Sequence, residues 1–181
     1  MGVDNRILNK LKANRIILIC GYIDTEKASK IIFQLLSMGM SNGEIHFYIA
    51  SDGGDYLDIL AIIDTMNSLK NKFAATCIGR ACGYAALLLA CCTKGSRFAL
   101  KHSFIQFDQP LGCLQAGINR QTDIAIEAQE IKKERDIFEK LLSQATGKDI
   151  SKIHSDCEAG VEMNSAEALE YGIIDKIIGE G

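Results

Sequence analysis

Apolar runs alternate along the chain with segments in which apolar residues recur every three or four positions. The run RIILIC at 15–20 is typical of a buried strand, and TEKASKIIFQLLSMG after it predicts a helix that ends at Gly39. This unit then repeats, with strands predicted at 44–50 and 73–79 and helices at 55–69 and 85–92. Strands separated by helices indicate a mainly parallel sheet with helices packed on it.

The second half of the chain adds two strands, at 96–100 and 104–109, and a polar, glycine-containing segment after Pro110. An amphipathic helix is predicted from 122 to 145, and a last helix and strand close the chain. A helix of that length spans about 36 Å, which is more than a small domain needs for its own core. We therefore expect it to reach beyond the domain.

Composition limits the possible functions. The chain has 181 residues, 48% of them hydrophobic and 24% charged, which suits one domain. Its net charge of −3 and its lack of a basic run give no reason to expect a nucleic-acid partner. The longest apolar run, 85–92, is much shorter than the roughly 20 residues that cross a bilayer, so we expect no membrane association.

Cysteine and histidine usage argues against disulfides and metal sites. The seven cysteines are an odd set without a CxxC pair, and most lie in apolar segments, which favours a reducing compartment. The three histidines, His46, His102 and His154, are scattered without ligand spacing. We expect neither a metal nor another cofactor.

The segment CIGRACGYAALLLACC, 77–92, combines a strand, a turn of small residues and a helix that is apolar on all sides. In many hydrolases such a turn presents a nucleophile in a cleft. The residue at the tip of this turn is Gly83, which has no side chain. The sequence therefore predicts the architecture of a nucleophile turn and raises the question of whether any chemistry takes place there.

Four blocks, in this order, resemble those of one peptidase family: YIASDGG, IGRACGYAALLLA, FIQFDQPLG and SAEALEYGIIDKII. From Arg15 to Ile178 the chain is similar to the proteolytic subunit of the Clp protease, ClpP, a serine peptidase of the ClpP/crotonase fold. The resemblance implies an α/β fold built as a spiral of β-β-α units.

The same resemblance implies one domain over residues 1–181. Its head would comprise 14–110 and 147–181, and a protruding handle helix would lie within 111–146.

The catalytic residues of that family are absent from the matching positions. Gly83 stands at the serine position, Asp108 at the histidine position and Gly160 at the aspartate position. This pattern resembles the ClpR-type paralogues, which are inactive and form rings with ClpP. The backbone donors of the oxyanion hole map to Gly54 and Tyr84.

Asp52 replaces a proline of the family beside these donors. Its negative charge is expected to weaken the binding of an oxyanion. Neighbouring side chains are poor substitutes for the lost nucleophile. Cys82 is interpreted as a packed core thiol, Ser51 and Ser103 as ordinary polar residues of the flanking strands, and His102 as a turn or surface residue.

The resemblance also implies an assembly. The family forms heptameric rings that stack in pairs through the handle, but this chain has about three extra residues between Cys113 and Thr122. It also has Ala159 in place of an arginine that pairs across the rings. We therefore expect a single heptameric ring of this chain, with any stacking supplied by an active ClpP-type subunit.

An Hsp100-type ATP-dependent unfoldase docks on the family's rings at apolar pockets. His46, Tyr48 and Phe98 are the candidates for that surface, with plain core packing as the alternative for the two aromatic residues.

Two alternatives stay open. A crotonase-like acyl-CoA enzyme would use the oxyanion hole, with Asp108 as the acid/base, and a homo-oligomeric ring could act without any protease. Because ClpR-type paralogues occur in cyanobacteria and plastids, the resemblance favours the stroma of a plastid-type organelle, an apicoplast or a chloroplast. The many Ile, Lys and Asn residues favour the apicoplast of an apicomplexan.

Overall fold

Helices and strands alternate along the described chain, which comprises residues 5–107 and 121–179 of the computed structural model. In chain order they are α1 Asn5–Ala13, β1 Ile16–Cys20, α2 Thr25–Gly39, β2 Ile45–Ser51, α3 Tyr56–Ser68, β3 Phe73–Cys82, α4 Tyr84–Ala90, β4 Arg97–Leu100, β5 Phe104–Phe107, α5 Gln121–Thr146, α6 Ile150–Ala159, β6 Val161–Asn164, α7 Ser165–Tyr171 and β7 Lys176–Ile178. Each predicted strand and helix has a counterpart in the described chain, although some ends differ: β3 runs on to Cys82, and α4 ends at Ala90. The last two positions of the strand predicted at 104–109 lie outside the described residues, and α1, α6 and β6 were not predicted.

The strands form one mixed sheet, and most of its pairs are parallel. Its main path runs β1-β2-β3-β4-β7, and β5 joins it through β3. The exception among the described pairs is β6, which runs antiparallel to β5. The expected α/β architecture is therefore confirmed, and it agrees with the ClpP fold.

Strand β3 is the longest described strand, and it has different partners at its two ends. Its first half pairs with β4 through Ala75, Thr76 and Cys77. Its last residues pair with β5, where Cys82 lies opposite Gln106. The change of partner carries the end of β3 away from β4 and toward β5, where the strand enters the turn at Gly83.

Helix α4 is the centre of the core. All of its residues from Ala85 to Ala90 are buried, as the apolar run predicted. A helix that is apolar on every side can be stable only inside a core, so its position is fixed by packing in all directions. The turn that precedes α4 is consequently held between a sheet strand and a buried helix.

Polar side chains fix the ends of two other helices. Asp24 caps α2 by accepting a hydrogen bond of 2.9 Å from the backbone N–H of Lys27. Asn164 and Glu167 form a reciprocal capping box at the start of α7. Because Asn164 is also the last residue of β6, this cap fixes the junction between β6 and α7.

Helix α5 confirms the long helix predicted at 122–145. It has buried residues near its C-terminal end, among them Phe138 and Leu142. The handle segment before it, 111–120, lies outside the described residues, as do Asp108 and Cys113. None of the helices in the described ranges is both long and apolar enough to cross a lipid bilayer.

Candidate functional site

The turn between β3 and α4 has the backbone geometry of a nucleophile turn. Gly83 has φ 52° and ψ −122°, which is rarely adopted by residues with a side chain. Its N–H donates to the carbonyl of Gln106 on β5 at 2.8 Å, and its carbonyl accepts from Ala86 at 3.1 Å. A Cβ atom placed on Gly83 would meet no atom within 4 Å. The turn therefore has room for a side chain but offers none.

Strand pairing brings Gly83 and Gly160 to opposite sides of β5. The N–H of Gly83 bonds to Gln106, and the next residue of β5, Phe107, lies opposite Val161 of β6. Gly160 immediately precedes Val161, where it ends α6 in the left-handed conformation with φ 64° and ψ 61°. The structure thus places two of the three triad positions beside the end of β5. The third position, Asp108, lies outside the described residues.

Glycine at position 54 is required by close packing. A Cβ atom there would come within 2.6 Å of both the Cβ atom and the carbonyl oxygen of Ile23. Ile23 and Gly54 form an isolated parallel bridge, and the N–H of Asp55 donates to the same carbonyl at 2.9 Å. The segment containing the first oxyanion position is therefore held against Ile23.

Ser51 and Ser103 are both buried, and their hydroxyls form hydrogen bonds with the backbone. The hydroxyl of Ser51 donates to the carbonyl of Gly21 at 2.7 Å and accepts from the N–H of Gly53 at 3.2 Å. The hydroxyl of Ser103 donates to Cys77 at 2.9 Å and accepts from Gly79 at 3.2 Å. Neither serine has a histidine partner in the described part of the chain, so both act as structural residues, as predicted.

Asp52 does not contribute an isolated negative charge to this region. Its carboxylate forms an ion pair with the guanidinium of Arg80, which projects from the end of β3. The expectation that the negative charge of Asp52 weakens oxyanion binding stays a prediction, and the guanidinium of Arg80 offsets part of that charge. Sequence reasoning missed Arg80. The only signal was one charged residue near the end of an otherwise apolar strand.

The ion pair lines a cleft of about 530 Å³ at the ends of β2, β3 and β5. Cys82, Gln106 and Glu162 also contribute to its wall, whereas no histidine does. A serine or cysteine peptidase of this type needs a base near neutral pKa beside its nucleophile. The described lining of this cleft supplies a thiol, an amide and charged groups, but no such base.

Neither the three histidines nor the cysteines of the described chain supply such a base beside the turn. His102 is exposed in the turn before β5, and His154 contacts Glu139 at 2.8 Å. Burial raises the pKa of the thiols of the buried Cys77 and the partly buried Cys91 to about 12, which keeps them protonated at neutral pH. No group of three or more potential ligands in the described ranges is arranged to hold a metal ion.

His46, Tyr48 and Phe98 lie together on one face of the sheet. The rings of His46 and Tyr48 stack with centroids 4.7 Å apart, and Phe98 stacks on His46 at 6.2 Å. All three are half-buried, so Tyr48 and Phe98 are not plain core residues. Leu18 and Leu100 on the adjoining strands are 46% and 39% exposed. We call these five residues the sheet-face patch.

One polar contact lies within this patch. The Nε2 atom of His46 is 2.7 Å from the hydroxyl of Thr76, which is itself fully buried on β3. Burial lowers the pKa of His46, against an opposite effect of the charge of Glu44. His46 therefore favours its neutral form, in which the ring is compatible with apolar neighbours.

A comparison of the chain with protein-family models gives a match that spans residues 3–181, to the family described as Clp protease. The match covers both triad positions that the structure describes, the ion pair and the sheet-face patch.

Proposed function

Because the chain belongs to the Clp protease family, we propose that it is a ClpR-type subunit, a non-catalytic component of a Clp protease complex. One observation carries the proposal. The nucleophile turn keeps its strained backbone and its room for a side chain, yet the residue in it is Gly83. Without a hydroxyl or thiol at position 83, the turn presents no atom that could attack a peptide carbonyl.

Loss of the nucleophile and the base removes most of the rate enhancement of such a site. Backbone donors and substrate binding alone give about 10³ to 10⁴ over the uncatalysed reaction, which is too slow for a peptidase. Asp108 and Gly160 at the other two triad positions support the same conclusion. The Arg80–Asp52 pair adds charged side chains to the wall of the cleft.

Members of the family assemble into rings and into Clp complexes. We propose that this chain forms a heptameric ring and associates with an active ClpP-type subunit. Its α5 helix exposes three isoleucines, Ile124, Ile126 and Ile137, that could be buried by a neighbouring subunit. Ala159 and the extra residues before α5 support a single ring when the chain is alone.

The sheet-face patch is proposed to contact an apolar loop of an Hsp100-type unfoldase. It combines aromatic rings with exposed leucines on the rigid sheet, a surface that suits an apolar anchor. The complex is proposed to work in the stroma of a plastid-type organelle, which agrees with the absence of CxxC pairs in the sequence.

Peptidase assays test the catalytic half of this proposal. The purified chain is expected to show no turnover of fluorogenic peptides or of a panel of acyl-CoA esters. Gly83→Ser alone should stay inactive because no base is restored, whereas any gain should need Gly83→Ser, Asp108→His and Gly160→Asp together. Turnover by the wild-type chain would refute the proposal.

Sedimentation tests the assembly half. The chain alone should sediment as a heptamer, and addition of an active ClpP-type subunit should produce a larger species that contains both chains. A stable fourteen-mer of this chain alone would refute the single ring.

A further inference from the structure

Tyr84, the residue directly after Gly83, connects the turn to helix α5. Its hydroxyl donates a hydrogen bond to the Oε1 atom of Glu134, fifty residues further along the chain. Its ring packs edge-on against Phe138, with centroids 5.3 Å apart, and tilted against Tyr56 at 5.7 Å. The side chain at one of the positions mapped to the oxyanion hole therefore contacts the long helix.

The hydroxyl of Tyr84 stays protonated and therefore acts as a hydrogen-bond donor. Burial raises its pKa, and the hydrogen bond and the negative charge of Glu134 raise it further. A hydrogen bond from a hydroxyl to a carboxylate is about twice as strong as one between neutral groups. The contact therefore joins α4 and α5 by a directional, charge-assisted bond in addition to ring packing.

Glu134 lies at the boundary between the exposed and the buried parts of α5. Towards the N-terminus, the side chains from Ile124 to Lys133 are exposed or half-exposed. Towards the C-terminus, Phe138 and Leu142 are buried in the core. The bond from Tyr84 thus holds the helix one turn before its first buried aromatic residue, where its outer half begins.

We propose that Tyr84 is a positioning residue for α5, and that its hydroxyl fixes the point at which the helix leaves the core. The turn that matches a nucleophile turn then serves to orient a helix face that displays Ile126 and Ile137, which lie eleven positions apart. That this surface contacts another ring rests on the proposed function, whereas the anchoring of α5 does not.

The competing explanation is that ring packing, without the hydrogen bond, holds α5 in place. Variants of the residues in this cluster separate the two explanations. Tyr84→Phe keeps the ring against Phe138 and Tyr56 but removes the donor. Tyr56→Phe removes a hydroxyl from the same cluster and leaves the bond to Glu134 in place. Glu134→Gln keeps an acceptor, and Glu134→Ala removes it.

Hydrogen exchange of the full-length chain, followed by mass spectrometry, measures the effect. Tyr84→Phe and Glu134→Ala should each accelerate exchange in peptides covering 124–137 by about tenfold, as expected for a lost bond to a charged group. Tyr56→Phe should exchange like the wild type, and Glu134→Gln, which keeps an acceptor without its charge, should fall between the wild type and Glu134→Ala. The double variant Tyr84→Phe/Glu134→Ala should exceed neither single variant, because both remove one shared bond.

Two outcomes overturn the proposal. In the first, Tyr84→Phe exchanges like Tyr56→Phe. In the second, the head strands and 124–137 open to the same extent, which would indicate general destabilisation. Since exchange in α5 can be read whether or not rings form, failure of assembly in sedimentation would count against the proposed function and leave this test intact.

Discussion

Two glycines of the site, Gly54 and Gly83, are needed for different physical reasons. At Gly83 the backbone lies in a conformation that disfavours any side chain, although the space around it is open. At Gly54 an added Cβ atom would collide with the backbone of Ile23. Strain at Gly83 is local, whereas a clash at Gly54 requires two chain segments to move apart.

Alanine substitutions separate these two effects. Gly83→Ala should lower the free energy of unfolding by about 1–3 kcal/mol, the usual cost of a residue in a sparsely populated conformation. Gly54→Ala should lower it by more, because the segment carrying Ile23 must shift. Urea unfolding of both variants measures the difference, and an equal or smaller loss for Gly54→Ala would contradict the steric reading.

His46 gives a prediction on pH at the same scale. Because burial lowers its pKa, the folded chain favours neutral His46, and this contribution to stability is complete above the ordinary value of 6.5. It should be lost as pH falls from 6.5 toward the lowered folded value. Glu44 is the charged group whose effect opposes the shift.

Urea unfolding between pH 7.5 and 5 measures this contribution. In His46→Phe the pH dependence over that range should be shallower than in the wild type, whatever constant offset the lost Thr76 contact adds. Parallel pH profiles for the two proteins would exclude His46 as the titrating group.

At the scale of elements, Arg97 joins four parts of the fold. It is 2% exposed, and its guanidinium binds the carboxylate of Asp175 through two hydrogen bonds, of 2.6 and 2.9 Å. It also donates to the carbonyls of Ala145 at 3.1 Å and Ala90 at 3.3 Å. One side chain on β4 therefore ties the ends of α4 and α5 to the segment before β7.

Removing the charge of one partner of the Arg97–Asp175 pair should destabilise the fold. Asp175→Asn leaves the buried Arg97 without a counter-charge and should lower the free energy of unfolding by about 3–5 kcal/mol. Arg97→Met removes the charge and keeps an apolar chain of similar reach, so its loss should be smaller. Urea unfolding at pH 7 compares the two, and the reverse order would contradict the buried-charge explanation.

The pair also has a defined pH window. Burial by itself would raise the pKa of Asp175, but the hydrogen bonds and charge of Arg97 outweigh it and lower the pKa below the ordinary 3.8. The stabilisation is complete above 3.8 and disappears as pH falls below it. The deficit of Asp175→Asn relative to the wild type should therefore shrink in that acidic range.

The sequence predicted those elements whose apolar residues form continuous runs or recur at a regular spacing. The buried strands, the fully apolar α4 and the stripe of α5 were predictable because each carries many apolar residues in register. Strand β6 was missed because its residues Val161–Asn164 include one buried side chain, Met163, and its partner β5 lies far away in sequence.

The contacts of the site were less predictable than its backbone. Gly83 was identifiable because strand, turn and helix are contiguous in sequence. Arg80–Asp52 and Tyr84–Glu134 join residues 28 and 50 positions apart, and nothing local in either segment specifies the partner. Such pairings depend on the three-dimensional course of β3 and α5, which periodicity does not give.

At the scale of the whole molecule, the exposed apolar residues of the described chain include two surfaces suited to association. One is the sheet-face patch, which includes Leu18 and Leu100, and the other is the face of α5 that carries Ile126 and Ile137. Apolar surfaces of this kind commonly mark sites of association. Their presence agrees with a family whose members assemble into rings.

The central claim is that this chain takes part in a Clp complex without acting as a peptidase. Its most direct test is intact-protein mass spectrometry of a complex assembled with an active ClpP-type subunit and treated with a fluorophosphonate probe. The account predicts one adduct on each active subunit and none on this chain within the same complex. An adduct on this chain, or its absence from the complex, would contradict the account.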